Sequence, residues 1–314
     1  MPRERLVGAI LAAGKGSRLI PISEDYPKPL LPICNKPIVQ YQMEYMRELG
    51  IREIFLVVGH LQEHFVRTFG DGSSLGLNLH FLEQESQLGI AHAVYMLERY
   101  IHSPFLLFLG DIFIIPNNLE KLLKIFYEKE AGAVLATKID TPDNIKRNFA
   151  IRLNEEGRVI RVIEKPRYPP NNLKGCGIYL FDQAIFDAIR RTPRTAMRDE
   201  YEITESIQIF IDDGYPVYCA DVVRDDMNIT FPKDLILCNI NELHSHGLTK
   251  LVGEDVEINE GTELVDTVIG DGCVIEGTPR IVSTLIFKGT RVKSQDHIEN
   301  SIITPDYRLD FEDL

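Results

Sequence analysis

Leu11-Ala12-Ala13-Gly14-Lys15-Gly16-Ser17-Arg18-Leu19 decides the fold, and Pro27-Lys28-Pro29-Leu30-Leu31-Pro32 follows shortly after it. Residues 6–12 form an apolar run of strand length interrupted only by Gly8, which reads as a buried strand. The run ends in a turn that carries two glycines and two cations. Glycine lets a backbone approach a ligand closely, and successive N–H groups in such a turn form an anion-binding concavity. Arg18 and Lys28 add mobile positive charge. A phosphate site is therefore expected within the first thirty residues. Two commoner glycine loops do not fit. The dinucleotide pattern G-x-G-x-x-G fails at Leu19, and the P-loop order G-x-x-x-x-G-K-[ST] is absent here.

The whole chain is acidic, which makes that local positive site informative. Its 314 residues carry a formal net charge of −13, with 44% hydrophobic and 26% charged residues. Such a balance is ordinary for a soluble globular protein of one large or two smaller domains. It lacks the basic footprint of a general nucleic-acid binder. The five cysteines, Cys34, Cys176, Cys219, Cys238 and Cys273, are scattered with no C-x-x-C pair. An odd number in a long chain points to free thiols in a reducing cytosol, so a cytoplasmic protein is expected. Residues 1–5 lead into an apolar run too short for a membrane span and without a signal-peptide layout.

Working outward from the turn, strands and helices alternate. Strands are predicted at 53–58, 78–83, 105–109 and 133–137, and helices at 40–49, 61–69 and 119–129. This rhythm marks an α/β domain with a largely parallel, Rossmann-like sheet. Ligands of such sheets sit beyond the carboxyl ends of the strands, where Gly14 and Asp111 fall. From residue 149 the pattern turns hairpin-like, with strands at 150–153 and 159–164, then helices at 183–191, 202–212 and from about 232. The last part changes character. Val252, Ile258, Leu264, Ile269, Ile275, Ile281, Ile286, Val292, Ile298 and Ile303 recur every five or six residues with glycines between them. That period predicts a left-handed parallel β-helix of roughly three coils, with ordinary hairpins as the alternative. The expected division is a catalytic domain over 1–245, then a β-helix over 246–314 ending in an acidic tail from 307. His297 is the one histidine among the repeats, so the β-helix reads as a packing or assembly element, and a homo-oligomer is expected.

The glycine turn together with Pro27-Lys28-Pro29 resembles the signature of the sugar nucleotidylyltransferases, which join a sugar 1-phosphate to a nucleoside triphosphate. Within them it looks closest to glucose-1-phosphate thymidylyltransferases and their uridylyl relatives. The resemblance spans about residues 6–245. It implies an attack by a sugar phosphate oxygen on the α-phosphorus, with pyrophosphate leaving. The nucleophile is already an anion, so no general base is required, and catalysis rests on positioning and on neutralising phosphate charge.

Carried over residue by residue, the resemblance assigns Arg18 and Lys28 to the triphosphate. Leu11, Ala13, Gly14, Gly16 and Ser17 join the nucleotide-binding turn. Gln84-Glu85-Ser86-Gln87-Leu88-Gly89-Ile90-Ala91-His92-Ala93 is similar to the family's base-reading segment. Gln84 is expected to read the base and Gly89 to let the backbone approach it, since an amide offers both a donor and an acceptor to uracil or thymine. Asp111, after the apolar run 105–109, is expected to bind magnesium, a hard ion that prefers oxygen. A second metal ligand is expected at Asn228, with Asp226 as competitor, because residues two apart on a strand face the same side. Glu164-Lys165-Pro166 matches the family's Glu-Lys-Pro, placing Lys165 on the sugar phosphate and Glu164 on sugar hydroxyls. Ala150 and Gly177 are the remaining sugar-side candidates. Phe149-Ala150 departs from the family's aromatic-glycine pair, and Glu205 stands for its aspartate, so the sugar stays open. The expected activity uses dTTP or UTP. The alternatives are CTP or GTP, a non-sugar phosphate or phosphonate acceptor, or a catalytically silent subunit that senses a nucleotide sugar.

Overall fold

The computed structural model describes residues 6–59, 61–195 and 199–314; the expectation for residues 1–5 lies outside them. The chain divides into two compact units, each built from separate stretches of sequence. One takes in the residues up to Gly14 and Gln42–Asp226. The other takes in Lys15–Tyr41 and Met227–Leu314. Among the described residues, no helix is long and apolar enough to cross a membrane.

The first unit is organised by a nine-stranded sheet. Val7–Ala12 is buried at all six positions, as a strand covered on both faces must be. It lies parallel to Glu53–Val58 on one side and Phe105–Leu109 on the other, and Asn78–Glu83 extends the same parallel half. The crossovers between these strands are long enough for helices, which parallel pairing requires. The other half is mostly antiparallel. Leu173–Phe181 runs against Phe105–Leu109, Ala133–Ile139 and Phe149–Leu153, and Val159–Glu164 closes a hairpin onto Phe149–Leu153. Val217–Asp221 adds one parallel pair on Ala133–Ile139. The α/β expectation holds, and the predicted strands and helices fall within a few residues of their places. The strand Ile112–Pro116 was not anticipated. Gly110-Asp111 is consequently a tight turn between two strands.

Gly175 pairs with Phe149, and a Cβ there would enter the Phe149 ring. That ring is buried and stacks on Tyr179, which stacks in turn on Phe181. Gly175→Ala should therefore destabilise by roughly 1–3 kcal/mol in urea unfolding, through overpacking. Adding Phe149→Leu should recover part of the loss, because neighbouring sites are not additive. An unchanged midpoint for Gly175→Ala would show that the ring yields freely.

In the second unit, short strands stack in three parallel sheets. Val268 pairs with Leu285 and Leu285 with Ile302, so each coil advances 17 residues. This is the parallel β-helix the repeats predicted. Ile269, Ile275, Ile281, Ile286, Val292, Ile298 and Ile303 fill its interior. Ile258 and Leu264 pack against that core, while Val252, at the open first coil, is exposed. One corner repeats in register. Asp266, Ser283 and Asn300 all adopt positive φ, and the following Thr267, Thr284 and Ser301 turn their hydroxyls back onto the carbonyls of Val265, Val282 and Glu299. Those buried hydroxyls are thereby satisfied. The stretch read as a tail contains a strand, Arg308–Asp310, antiparallel to Ser301–Ile303.

The signature segment is anchored in this same unit. Asn35 Nδ2 donates to the carbonyl of Ile269 at 2.8 Å. Tyr26 stands edge-on to Phe287 at 4.9 Å. The Cys34 N–H donates to Asn239 Oδ1 at 2.7 Å, and Asn239 Nδ2 donates back to the Pro32 carbonyl at 3.0 Å. All five cysteines are free thiols.

Candidate active site

In the second unit, Gly16 takes a left-handed conformation and leads into a short 3-10 turn, Ser17–Leu19. Glycine adopts that geometry without the Cβ penalty. Ser17 and Arg18 are exposed on this turn. Lys28 opens a second turn, Lys28–Leu30, between its two prolines. It is only 7% exposed, and its ammonium donates to Asn228 Oδ1 at 2.8 Å. A buried lysine is uncommon without such a partner. Two sequence-predicted residues 200 positions apart are thus joined directly.

In the first unit, Leu11 and Ala13 are buried at the end of Val7–Ala12 and Gly14 is exposed beyond them. Gln87 Nε2 donates to the Ala13 carbonyl, so the Gln84–Ala93 segment is tied to the strand that feeds the glycine turn. Gln84 is 5% exposed; its N–H donates to Val58 at 2.8 Å and its Nε2 lies 2.9 Å from His92 Nδ1. Gly89 has a φ of +107°, and a Cβ there would lie 2.5 Å from the Tyr201 carbonyl oxygen. Tyr201 clasps this loop, giving its N–H to Leu88 at 2.8 Å and accepting from Ala91 at 2.9 Å. Asp111 is half-buried in the turn between Phe105–Leu109 and Ile112–Pro116.

The sugar-side candidates gather on the antiparallel half of the same sheet. Ala150 pairs with Ile163 and Lys174, and Phe149 with Glu164. Ala150 is fully buried, and Gly177 sits at positive φ in an irregular part of its strand. Glu164 Oε2 accepts from Thr204 at 3.2 Å. This fastens the Glu-Lys-Pro motif to the residue preceding Glu205, a link that sequence reasoning missed. Lys165 has a φ of +41° and donates its N–H to Asn148 at 2.7 Å. A non-glycine residue at positive φ is uncommon and is held there by its surroundings. Its ammonium lies 3.7 Å from Glu164.

Beneath these residues lies an ionic network that the sequence did not announce. Lys174, 3% exposed, sits 2.7 Å from Asp226 and 2.9 Å from Asp140. Lys138 lies 2.8 Å from Asp225 and 3.1 Å from Asp226. Burial opposes the charge on Asp140, but the Lys174 ammonium and the Asn144 amide outweigh it and hold its carboxyl below the ordinary value. Burial likewise opposes the charge on Lys138, and Asp225 and Asp226 raise its pKa despite that. Asp226 is therefore held by two lysines, and the exposed Asn228 by one, its Oδ1 accepting from Lys28. No group of three or more His, Cys, Asp or Glu side chains placed to hold a metal occurs among the described residues. Magnesium is commonly bound by one or two carboxylates plus substrate phosphates, not by an all-protein cage, and oxygen donors such as Asp111 and Asn228 suit it.

Comparison with known proteins gives a consistent picture. The family model described as Nucleotidyl transferase matches residues 7–226. A glucose-1-phosphate thymidylyltransferase from Streptomyces antibioticus is 31% identical over 304 residues, covering 94% of this chain and 80% of that one. A UTP–glucose-1-phosphate uridylyltransferase, AglF, from Haloferax volcanii is 35% identical over 228 residues, covering 72% of this chain and 91% of that one. A solved UDP-glucose pyrophosphorylase shares the fold with a TM-score of 0.67 at 21% identity, covering 77% of this chain and 99% of that one. With its glycine turn, Gln84–Ala93 loop and Glu-Lys-Pro strand end in order along residues 7–226, the chain belongs to the nucleotidyl transferase family.

Proposed function

We propose that the chain joins a sugar 1-phosphate to dTTP or UTP, giving a nucleoside diphosphate sugar and pyrophosphate. The observation that carries this reading is Lys28, a cation withdrawn from solvent and held at 2.8 Å on the amide oxygen of Asn228. A buried, aimed ammonium of this kind serves phosphate charge better than a solvated one, because it is fixed before the reaction begins. The thymidylyl and uridylyl names of the relatives support the choice of nucleotide.

In this reading a phosphate oxygen of the sugar forms a bond to the α-phosphorus of the triphosphate. The bond from that phosphorus to the bridging oxygen breaks, and pyrophosphate departs with its electron pair. Arg18 and Lys28 neutralise the triphosphate, and the N–H groups around Gly14, Gly16 and Ser17 receive its oxygens. Gln84 reads the base beside Gly89. Lys165 takes the sugar phosphate and Glu164, held by Thr204, takes sugar hydroxyls, with the backbone at Ala150 and Gly177 shaping that side. Asp111 and Asn228 would hold Mg²⁺, which supplies further charge neutralisation on the phosphates.

The test is pyrophosphate release with magnesium, each of five nucleoside triphosphates and a panel of sugar 1-phosphates. Release is expected with dTTP or UTP and at least one hexose 1-phosphate. Release confined to CTP or GTP would overturn the nucleotide assignment. No release with any pair, by folded protein, would leave the silent-sensor reading in its place.

A further inference from the structure

We propose that His92 fixes which end of its amide Gln84 presents, and so sets the preference for uracil or thymine over cytosine; this rests on the reading of Gln84 as base reader. Gln84 Nε2 lies 2.9 Å from His92 Nδ1. An amide nitrogen only donates, so Nδ1 is the acceptor and the ring carries its proton on Nε2. With one N–H engaged by His92, the amide cannot flip without losing that bond, so its orientation is fixed and it offers the base Oε1, an acceptor, beside the second N–H. Oε1 suits the N3–H of uracil or thymine. Cytosine has a lone pair at N3 and would set two acceptors face to face, the kind of mismatch that discriminates strongly.

The surroundings keep both partners in place. Gln84 is anchored through its own N–H to Val58. His92 stands on the first turn of the helix Ile90–Leu97, and its ring stacks on Tyr201 at 6.4 Å and 27°. Tyr201 is the residue whose main chain clasps Leu88 and Ala91. The ring also borders a cavity of about 480 Å³. The titratable groups facing it there are Tyr95 from its own helix, Arg190 from Ile185–Arg190, and Tyr201. Arg194 lies over the Tyr201 ring at 5.6 Å. Burial lowers the pKa of His92 from its ordinary 6.5, which favours the neutral ring that can accept from Gln84. Protonation at Nδ1 would turn it into a donor. The amide would then have to present its NH₂ end to the base, which suits cytosine.

The experiment compares dissociation constants for UTP and CTP, by calorimetry with magnesium and no acceptor, at pH 7.5 and in steps below it to the acid limit of the native fold. The proteins are the full wild-type chain, Gln84→Leu, His92→Leu and His92→Asn, each checked for its native thermal transition. Wild type is expected to prefer UTP. His92→Leu should narrow the UTP-over-CTP ratio by about tenfold or more. His92→Asn can offer an oxygen where Nδ1 accepts, and should retain most of the ratio. Acid should narrow the ratio of wild type but not of His92→Asn, a difference that a merely structural role would not produce. An unchanged ratio in His92→Leu, with a narrowed one in Gln84→Leu, overturns the role of His92 and leaves Gln84 as reader. An unchanged ratio in Gln84→Leu overturns that reading itself.

Discussion

Asp111→Ala is expected to lower kcat by about 10²–10³-fold, or roughly 3–4 kcal/mol of barrier, with little change in thermal stability. Asp111 sits half-buried in a tight turn that follows the buried apolar strand Phe105–Leu109. The backbone of the turn is held by the N–H of Gly110, which donates to the Leu11 carbonyl at 2.8 Å. What alanine removes is a hard oxygen donor and a negative charge at the strand-end rim. Asp111→Asn keeps the size and loses the charge, so a similar loss of kcat is expected from it. Rates from single-turnover pyrophosphate release, beside circular-dichroism melts, check this. Near-normal turnover in both variants would remove Asp111 from the reaction.

Lys174→Met should carry the largest cost in stability, about 3–5 kcal/mol, because it leaves buried carboxylates short of their cation. Lys174 touches Asp226 at 2.7 Å and Asp140 at 2.9 Å, and all three side chains are nearly inaccessible to water. Lys138 keeps part of the compensation through Asp225 and Asp226. The effect has a pH signature. The folded state holds the Asp140 carboxyl below its ordinary 3.8, so its contribution is complete above about pH 4 and is lost as the pH falls toward the folded pKa. The stability gap between wild type and Lys174→Met should therefore be full at neutral pH and shrink below about pH 4. Urea midpoints across that range measure it. A gap that is absent at pH 7, or that widens in acid, would contradict the account. Since Lys174 pairs with Ala150 in the sheet, looser packing should also raise KM for the sugar phosphate more than for the triphosphate.

Much of this was legible because burial leaves an imprint on sequence. The runs before Gly14 and Asp111 are apolar on both faces, so the strand ends and the turns beyond them could be placed directly. The isoleucine stripe of the β-helix was equally plain. Its true coil of 17 residues was not read, although Asp266-Thr267, Ser283-Thr284 and Asn300-Ser301 mark one corner of every turn. A small polar residue at positive φ followed by a hydroxyl was the available signal.

What stayed hidden is pairing across long separations. Lys28 and Asn228 are 200 residues apart, and Lys174 and Asp226 are 52 apart. Charged residues in sequence look the same whether solvated or buried against a partner, which is why Asp226 competed with Asn228 as a metal ligand. Asp226 is clasped by Lys174 and Lys138, and Asn228 Oδ1 accepts from Lys28, so each is tied to a cation far away in sequence. The anchoring of Asn35 and Tyr26 on the coils, through Ile269 and Phe287, was hidden for the same reason. It gives the β-helix a part in holding the signature segment.

The most direct measurement of the central claim is phosphorus NMR of the protein with magnesium, UTP or dTTP, and glucose 1-phosphate or another hexose 1-phosphate. The account predicts that a nucleoside diphosphate ester and free pyrophosphate grow in equal amounts, and that neither forms without the sugar phosphate. Pyrophosphate or orthophosphate released with no diphosphate ester, or with no acceptor present, would contradict it.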